Sequence, residues 1–203
     1  MNKILLASLI LFAPIAFSGE LTKDSELIQT CGACHGVDGN SVIPIAPNLA
    51  GQLPGYLLSQ LHAYKARNRT DELMGDIIVP LSEDDIVKLV EYYKKQKLVP
   101  SPPSEPSDPA LIAKGRHLYN NEITRVGLSC ADCHGAHAEG EENGGLMVDF
   151  PRLAGQKYDY LISSLQKYAH HLKHFSLLGM KVVSASLSDD EIKALAAYLS
   201  SLD

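Results

Sequence analysis

Cys31-Gly32-Ala33-Cys34-His35-Gly36 and Cys130-Ala131-Asp132-Cys133-His134-Gly135 are two copies of one pattern, 99 residues apart, and they use all four cysteines of the chain. The repetition spreads outward from them. Pro47-Asn48-Leu49-Ala50-Gly51-Gln52 follows the first copy and Pro151-Arg152-Leu153-Ala154-Gly155-Gln156 the second, at an offset of 104. The second copy therefore carries five extra residues between these motifs. Tyr56, Leu57 and Leu61 match Tyr160, Leu161 and Leu165 at the same offset. Met74 and Met180 come next at an offset of 106, each followed seven residues later by Leu-Ser, at Leu81-Ser82 and Leu187-Ser188. An internal repeat of roughly 100 residues divides the chain into two small, similar domains.

The ends of the copies predict helices. Ser82 with Asp85, and Ser188 with Glu191, form the capping-box pattern. Ile86, Leu89, Val90 and Tyr93, and then Ile192, Leu195, Ala196 and Leu199, fall at the spacing of one buried helical stripe. A second helix is expected from about Gly55 to Ala66 and from about Lys157 to His171, and a short one before each cysteine motif, near Asp24–Thr30 and Pro109–Tyr119. No stretch alternates with period two, so the fold class is all-α. Between the copies, Val99 to Pro109 holds five prolines in eleven residues. Such a segment cannot continue a helix and favours an extended form. The organisation expected is a leader over 1–18, a first domain over 19–98, a Pro-rich linker over 99–109 and a second domain over 110–203.

The leader reads as a secretory signal. Lys3 supplies its positive start, Ile4 to Phe17 is apolar apart from Ser8, and Ala16-Phe17-Ser18 offers a cleavage site before Gly19 or Glu20. A retained membrane anchor is the alternative, although the apolar run falls short of the about 20 residues that a span needs. Export to an oxidising compartment would ordinarily turn four cysteines into disulfides. Cys-x-x-Cys-His has another use.

That spacing is the attachment signature of a c-type haem, with two thiols for the vinyl groups and an adjacent imidazole for the iron. Two copies give two haem c, with Cys31, Cys34, Cys130 and Cys133 as the covalent attachment points and His35 and His134 as iron ligands. Two other chemistries share part of the pattern: a zinc site and a redox-active Cys-x-x-Cys pair. Neither requires a histidine after the second cysteine in both copies, nor the repeated methionines. Met74 and Met180 are the candidate sixth ligands, because a thioether closes the iron and raises its potential. His62, His170, His171 and His174 are alternatives without repeat counterparts, and Met147 falls in the inserted stretch as surface or packing. A ligating imidazole needs its second nitrogen held by a carbonyl or carboxylate, and the Pro47 and Pro151 carbonyls are the candidates. Gly36 and Gly39, and in the second copy Gly135 and Gly140, let the backbone pass close to a porphyrin. With 6 % aromatic residues and no Trp, each small domain would be marginal without a covalent group to fill its core.

These residues resemble those of dihaem cytochromes c of the cytochrome c4 type. The resemblance spans the mature chain and rests on both Cys-x-x-Cys-His-Gly motifs, both Pro-x-Leu-Ala-Gly-Gln segments, both methionines with their Leu-Ser and both closing helices. It implies two tandem class I cytochrome c domains related by a pseudo-twofold axis, each wrapped around one covalent haem with His/Met-ligated iron. It also implies a periplasmic one-electron carrier, sometimes held loosely at the membrane, between a quinol-oxidising complex or dehydrogenase and a terminal oxidase or reductase. Two features depart from the family pattern. The first domain lacks the glycine usual in the opening helix, which the second has as Gly115, and the Glu141 to Gly145 stretch is inserted. A dihaem subunit of an exported enzyme, such as a flavocytochrome c sulfide dehydrogenase, is the second expectation. A dihaem peroxidase is the third, and it conflicts with two repeat-equivalent methionines. A net charge of −6 excludes nucleic acid as a natural partner, and closed irons leave no place for a small-molecule substrate. Redox proteins remain as partners.

Overall fold

Ser82 and Ser188 each open a helix by the reciprocal bonds their sequence predicts, the hydroxyl accepting from the backbone N–H three residues on while that residue's carboxylate accepts from the serine N–H. The computed structural model describes residues 23–99, 108–123, 126–142, 149–170 and 178–203. The leader, most of the Pro-rich linker, Asn143 to Gly145 of the insertion, Met147, His171 and His174 lie outside the described residues.

Among the described residues the elements are α1 (Lys23–His35), α2 (Pro54–Lys65), α3 (Glu72–Ile78), α4 (Glu83–Tyr93), α5 (Pro109–Asn120), α6 (Ala131–His134), α7 (Tyr158–Ala169), α8 (Leu178–Ala185) and α9 (Asp189–Ser200). Two isolated bridges, Ile123–Leu128 and Glu141–Phe150, pin loops and build no sheet. α1 differs from expectation by running on through the first cysteine motif to His35. In the second half α5 stops at Asn120, and the motif forms its own short turn, α6. α3 and α8, the helices that carry Met74 and Met180, add to the expected set.

The described residues form two cores. Leu57, Leu89, Val90 and Tyr93 centre the first, with Leu27, Leu49 and Leu61 against them. Tyr119, Leu161, Leu195, Ala196 and Leu199 centre the second, with Ile112, Leu153 and Ile162 around them. The stripes expected on α4 and α9 are the buried faces of those helices. Each fully buried leucine contributes about 1.5–3 kcal/mol. The closest packing is α5 on α9, where Gly115 is required: a Cβ there would run into the Ala194 carbonyl and lie 2.7 Å from Tyr198 Cβ. α1 meets α4 through Leu27 and also through ion pairs, Lys23 to Asp85 at 2.8 Å and Lys88 to Asp24 at 3.1 Å.

The two Pro-x-Leu-Ala-Gly-Gln loops are built alike. Leu49 and Ala50 donate to the Gly39 carbonyl, and Leu153 and Ala154 donate to that of Ala138. Gly51 and Gly155 hold φ of 63° and 66° and donate to Tyr93 and Leu199 at the end of α4 and α9. The structural counterpart of Gly39 is therefore Ala138, not Gly140. Ala138 sits fully buried at φ 58°, a conformation that costs a non-glycine residue about 1–3 kcal/mol.

Candidate functional site

Cys31 and Cys34 lie three residues apart on the last turns of α1, and Cys130 and Cys133 at the start and within α6. That separation puts both thiols of each motif on one helical face. All four are free and partly exposed. Burial pushes Cys31 and Cys130 up to about 11 and raises Cys133 as well. These are protonated thiols, unlike the depressed thiolates of redox-active pairs. Among the described residues no three His, Cys, Asp or Glu side chains cluster to hold one metal ion.

Each histidine closes its helix ahead of a glycine at positive φ, Gly36 at 77° and Gly135 at 82°, the usual way for a helix to stop. His35 Nδ1 lies 2.8 Å from the Pro47 carbonyl and His134 Nδ1 lies 3.0 Å from that of Pro151. A carbonyl only accepts, so Nδ1 carries the proton and Nε2 presents its lone pair. Both rings are buried, at 6 % and 5 % exposure. Burial lowers their pKa, against an opposing pull from the carbonyl, and so favours the neutral ring that a metal needs. The carbonyls of both prolines named from sequence lie within hydrogen-bond distance of the two rings. Phe150 adds an edge contact to His134, ring centres 6.1 Å apart.

Met74 sits in the first turn of α3, its N–H capped by Asp71 Oδ1 at 3.1 Å. Met180 lies in α8. Both side chains are half-buried. α3 packs on α2 and α8 on α7, so the two methionines occupy equivalent elements. His62 is engaged elsewhere, its Nε2 2.7 Å from Glu83 Oε2 on the surface. His170 is exposed at the end of α7.

One buried charge had no sequence signal. Arg69, 9 % exposed, donates to Gln60 Oε1 at 2.6 Å and to the Tyr160 hydroxyl of the other half at 3.2 Å, and lies 4.5 Å over the Tyr64 ring. Burial opposes its charge, but the surrounding phenol oxygens outweigh that and keep its pKa above the ordinary arginine value. Burial in turn raises the phenols of Tyr56, Tyr64 and Tyr168. Arg69 forms no ion pair with a carboxylate among the described residues. A buried guanidinium among neutral phenols calls for an anion, and the propionates of a haem have that chemistry. The donor set and this buried cation both fit the group.

Fold and site together define a protein of tandem class I c-type cytochrome domains. The cytochrome c family model matches residues 24–97 and 112–203. The chain belongs to the cytochrome c family and, within it, to the dihaem cytochromes of the c4 type. It is 38 % identical over 174 residues to cytochrome c4 of Thiocapsa roseopersicina, covering 85 % of this chain and 86 % of that protein. With cytochrome c4 of Pseudomonas aeruginosa it shares 31 % identity over 208 residues, covering both chains fully. The crystal structure of reduced recombinant cytochrome c4 from Pseudomonas stutzeri matches with a TM-score of 0.79 at 32 % identity, over 89 % of this chain and 97 % of that one. The protein is a dihaem electron-transfer cytochrome carrying two haem c, not an enzyme. Among the described residues no helix is long and apolar enough to cross a membrane.

Proposed function

We propose that Cys31 and Cys34 attach the first haem and Cys130 and Cys133 the second. His35 with Met74, and His134 with Met180, are the axial ligands. The observation that carries this reading is the pair of buried histidines whose Nδ1 atoms meet Pro47 and Pro151 at 2.8 and 3.0 Å. It gives each iron a neutral Nε2 donor of fixed orientation. When bound, each haem supplies a one-electron ferric/ferrous couple. The protein's part is to hold that couple still. The Pro47 and Pro151 carbonyls would hold the two histidine rings, and the Met74 and Met180 thioethers would occupy the remaining iron positions and keep water from them. Closed sites of this kind pass electrons and bind no substrate.

The chain is read as exported by its leader, residues 1–18, and as working in the periplasm, with domains over 19–98 and 110–203 joined by the linker 99–109. The two matched segments of the family model, 24–97 and 112–203, support that division. The proposed route runs from a quinol-oxidising complex or dehydrogenase toward a terminal oxidase or reductase. A second reading, an electron-transfer subunit of an exported enzyme, draws on two relatives matched over about a third of this chain. One is the cytochrome subunit of sulfide dehydrogenase from Chlorobaculum tepidum, 33 % identical over 67 residues. The other is a thiosulfate dehydrogenase electron acceptor from Stutzerimonas stutzeri, 39 % identical over 69 residues.

A redox titration of the purified protein, followed by its spectra, tests the carrier reading. Two low-spin haems, each retaining the weak red band of Met-ligated ferric iron, are expected. A high-spin haem or a single covalent haem would overturn it. Co-purification of a stable flavoprotein would favour the subunit reading.

A further inference from the structure

Two glutamines meet at the boundary between the halves, Gln52 at 6 % and Gln156 at 7 % exposure. Each ends a Pro-x-Leu-Ala-Gly-Gln loop, and each reaches into the opposite half with its amide. Gln52 Oε1 accepts the Arg152 N–H at 2.9 Å while its Nε2 donates to the Arg152 carbonyl at 2.9 Å. Gln156 Oε1 accepts the Asn48 N–H at 2.8 Å while its Nε2 donates to the Asn48 carbonyl at 3.0 Å. Each Oε1 also accepts the N–H of the next residue in its own chain segment, Leu53 and Lys157, at 3.0 and 2.9 Å. The two clamps are equivalent and reciprocal.

The peptide that each glutamine grips is the one that holds a histidine. The Pro151 carbonyl, which accepts from His134, and the Arg152 N–H, which donates to Gln52, belong to a single amide group. The Pro47 carbonyl and the Asn48 N–H are likewise one amide, between His35 and Gln156. Successive hydrogen bonds through an amide polarise one another, by about 10–30 % per bond. A donating N–H leaves its carbonyl oxygen more negative. A more negative acceptor pulls harder on the imidazole proton and makes Nε2 a stronger donor to iron.

We propose that Gln52 tunes His134 and Gln156 tunes His35, so that each half of the molecule sets the reduction potential of the haem in the other. The two glutamines are positioning residues, acting on iron through a peptide and a histidine. A stronger imidazole donor stabilises ferric iron, so each clamp lowers the potential of the haem across the boundary. This inference rests on His35 and His134 being the iron ligands.

The test uses the full-length holoprotein. Gln52→Met and Gln156→Met each remove the Oε1 acceptor together with its Nε2 donor, and the potential of each haem is resolved by NMR-monitored redox titration. Met74→Ala and Met180→Ala identify which signal belongs to which half. Gln52→Met is expected to raise the potential of the His134 haem by about threefold in its reduction equilibrium constant. At 59 mV per tenfold for one electron that is roughly 30 mV. The His35 haem should move far less. Gln156→Met should give the converse. In the reduced protein the Nδ1 proton resonance of the opposite histidine alone should move upfield. Gln52→Glu, which keeps an acceptor oxygen, should hold the His134 haem at or below its starting potential. If a Met variant does not fold, Gln52→Asn and Gln156→Asn, which shorten the reach of the amide, carry the same crosswise expectation. Shifts equal in both haems, confined to the variant's own half, or absent while both Met-ligated bands persist would overturn the inference. Loss of the ligand reading shows differently, as unaltered protein lacking those bands.

Discussion

On the proposed ligation a thioether from Met74 or Met180 would close each iron and favour its ferrous form, so the two can be separated by substitution. Met74→Ala should open the first haem alone and lower its potential by more than about tenfold in equilibrium constant, which exceeds roughly 59 mV. Half of the weak red ferric band should vanish. Met180→Ala should remove the other half. Optical spectra of the single and double variants check this, and survival of the band in the double variant would refute the ligand assignment. Arg69 makes the contrasting case. Its cationic group ties Gln60 and Tyr160 together across the halves, yet a lone arginine after a helix gives no pattern to read. The cysteines, histidines and prolines were legible because repetition marked them twice. Arg69 was not, because its partner Tyr160 lies 91 residues away.

Helix α4 begins with Ser82 and Asp85, and the Asp85 carboxyl does more there than cap. Hydrogen bonds from Lys23 and then from Ser82 hold its pKa well below the usual carboxylate range. A depressed folded-state pKa contributes stability above the unfolded value, near 3.9, and loses it as pH falls toward the folded value. Wild-type protein should therefore lose thermal stability on going from pH 6 to pH 3. Asp85→Asn should narrow that loss, and melting curves at the two pH values check it; an unchanged difference would show that the carboxylate is not a source of the acid sensitivity. At the other end of the molecule the constraint is steric. Gly115→Ala would drive a methyl into the Ala194 carbonyl, and overpacking of this kind costs about 1–3 kcal/mol. The melting temperature should drop by several degrees, at roughly 2–4 °C per kcal/mol for a chain of this size. A variant as stable as wild type would mean that α5 and α9 can part without cost. Capping boxes and buried stripes were readable because their chemistry is local to one or two turns. α3 and α8 were not: both are short, and α3 starts from a single Asp71 cap without a long apolar period.

At the scale of the whole molecule, the repeat gives two similar haem sites but not two similar surroundings. Near the first motif three aliphatic side chains are exposed, Val42 at 89 %, Ile45 at 72 % and Val37 at 43 % exposure, with Asp38 the one exposed carboxylate among them. Near the second four acidic side chains are exposed, Asp132, Glu139, Glu141 and Glu142. The chain carries a net charge of −6, and the four carboxylates concentrate part of it beside one haem site. The sequence displayed both loops, but a loop's relation to a haem edge depends on chain reversals at Gly36 and Gly135 that no periodicity announces. The physical consequence lies in rates, since long-range attraction steers encounters and salt screens it. The Debye length shrinks from about 30 Å at 0.01 M to about 10 Å at 0.1 M. Reduction by the cation hexaammineruthenium(II) should therefore slow several-fold over that range of ionic strength. Oxidation by the anion ferricyanide should quicken. Glu141→Lys with Glu142→Lys should flatten both slopes, whereas Val42→Ser with Ile45→Ser should leave the slopes alone. Stopped-flow rates at graded ionic strength read all four variables together, and equal slopes before and after the charge reversal would mean that electrons reach the haems by the aliphatic side alone.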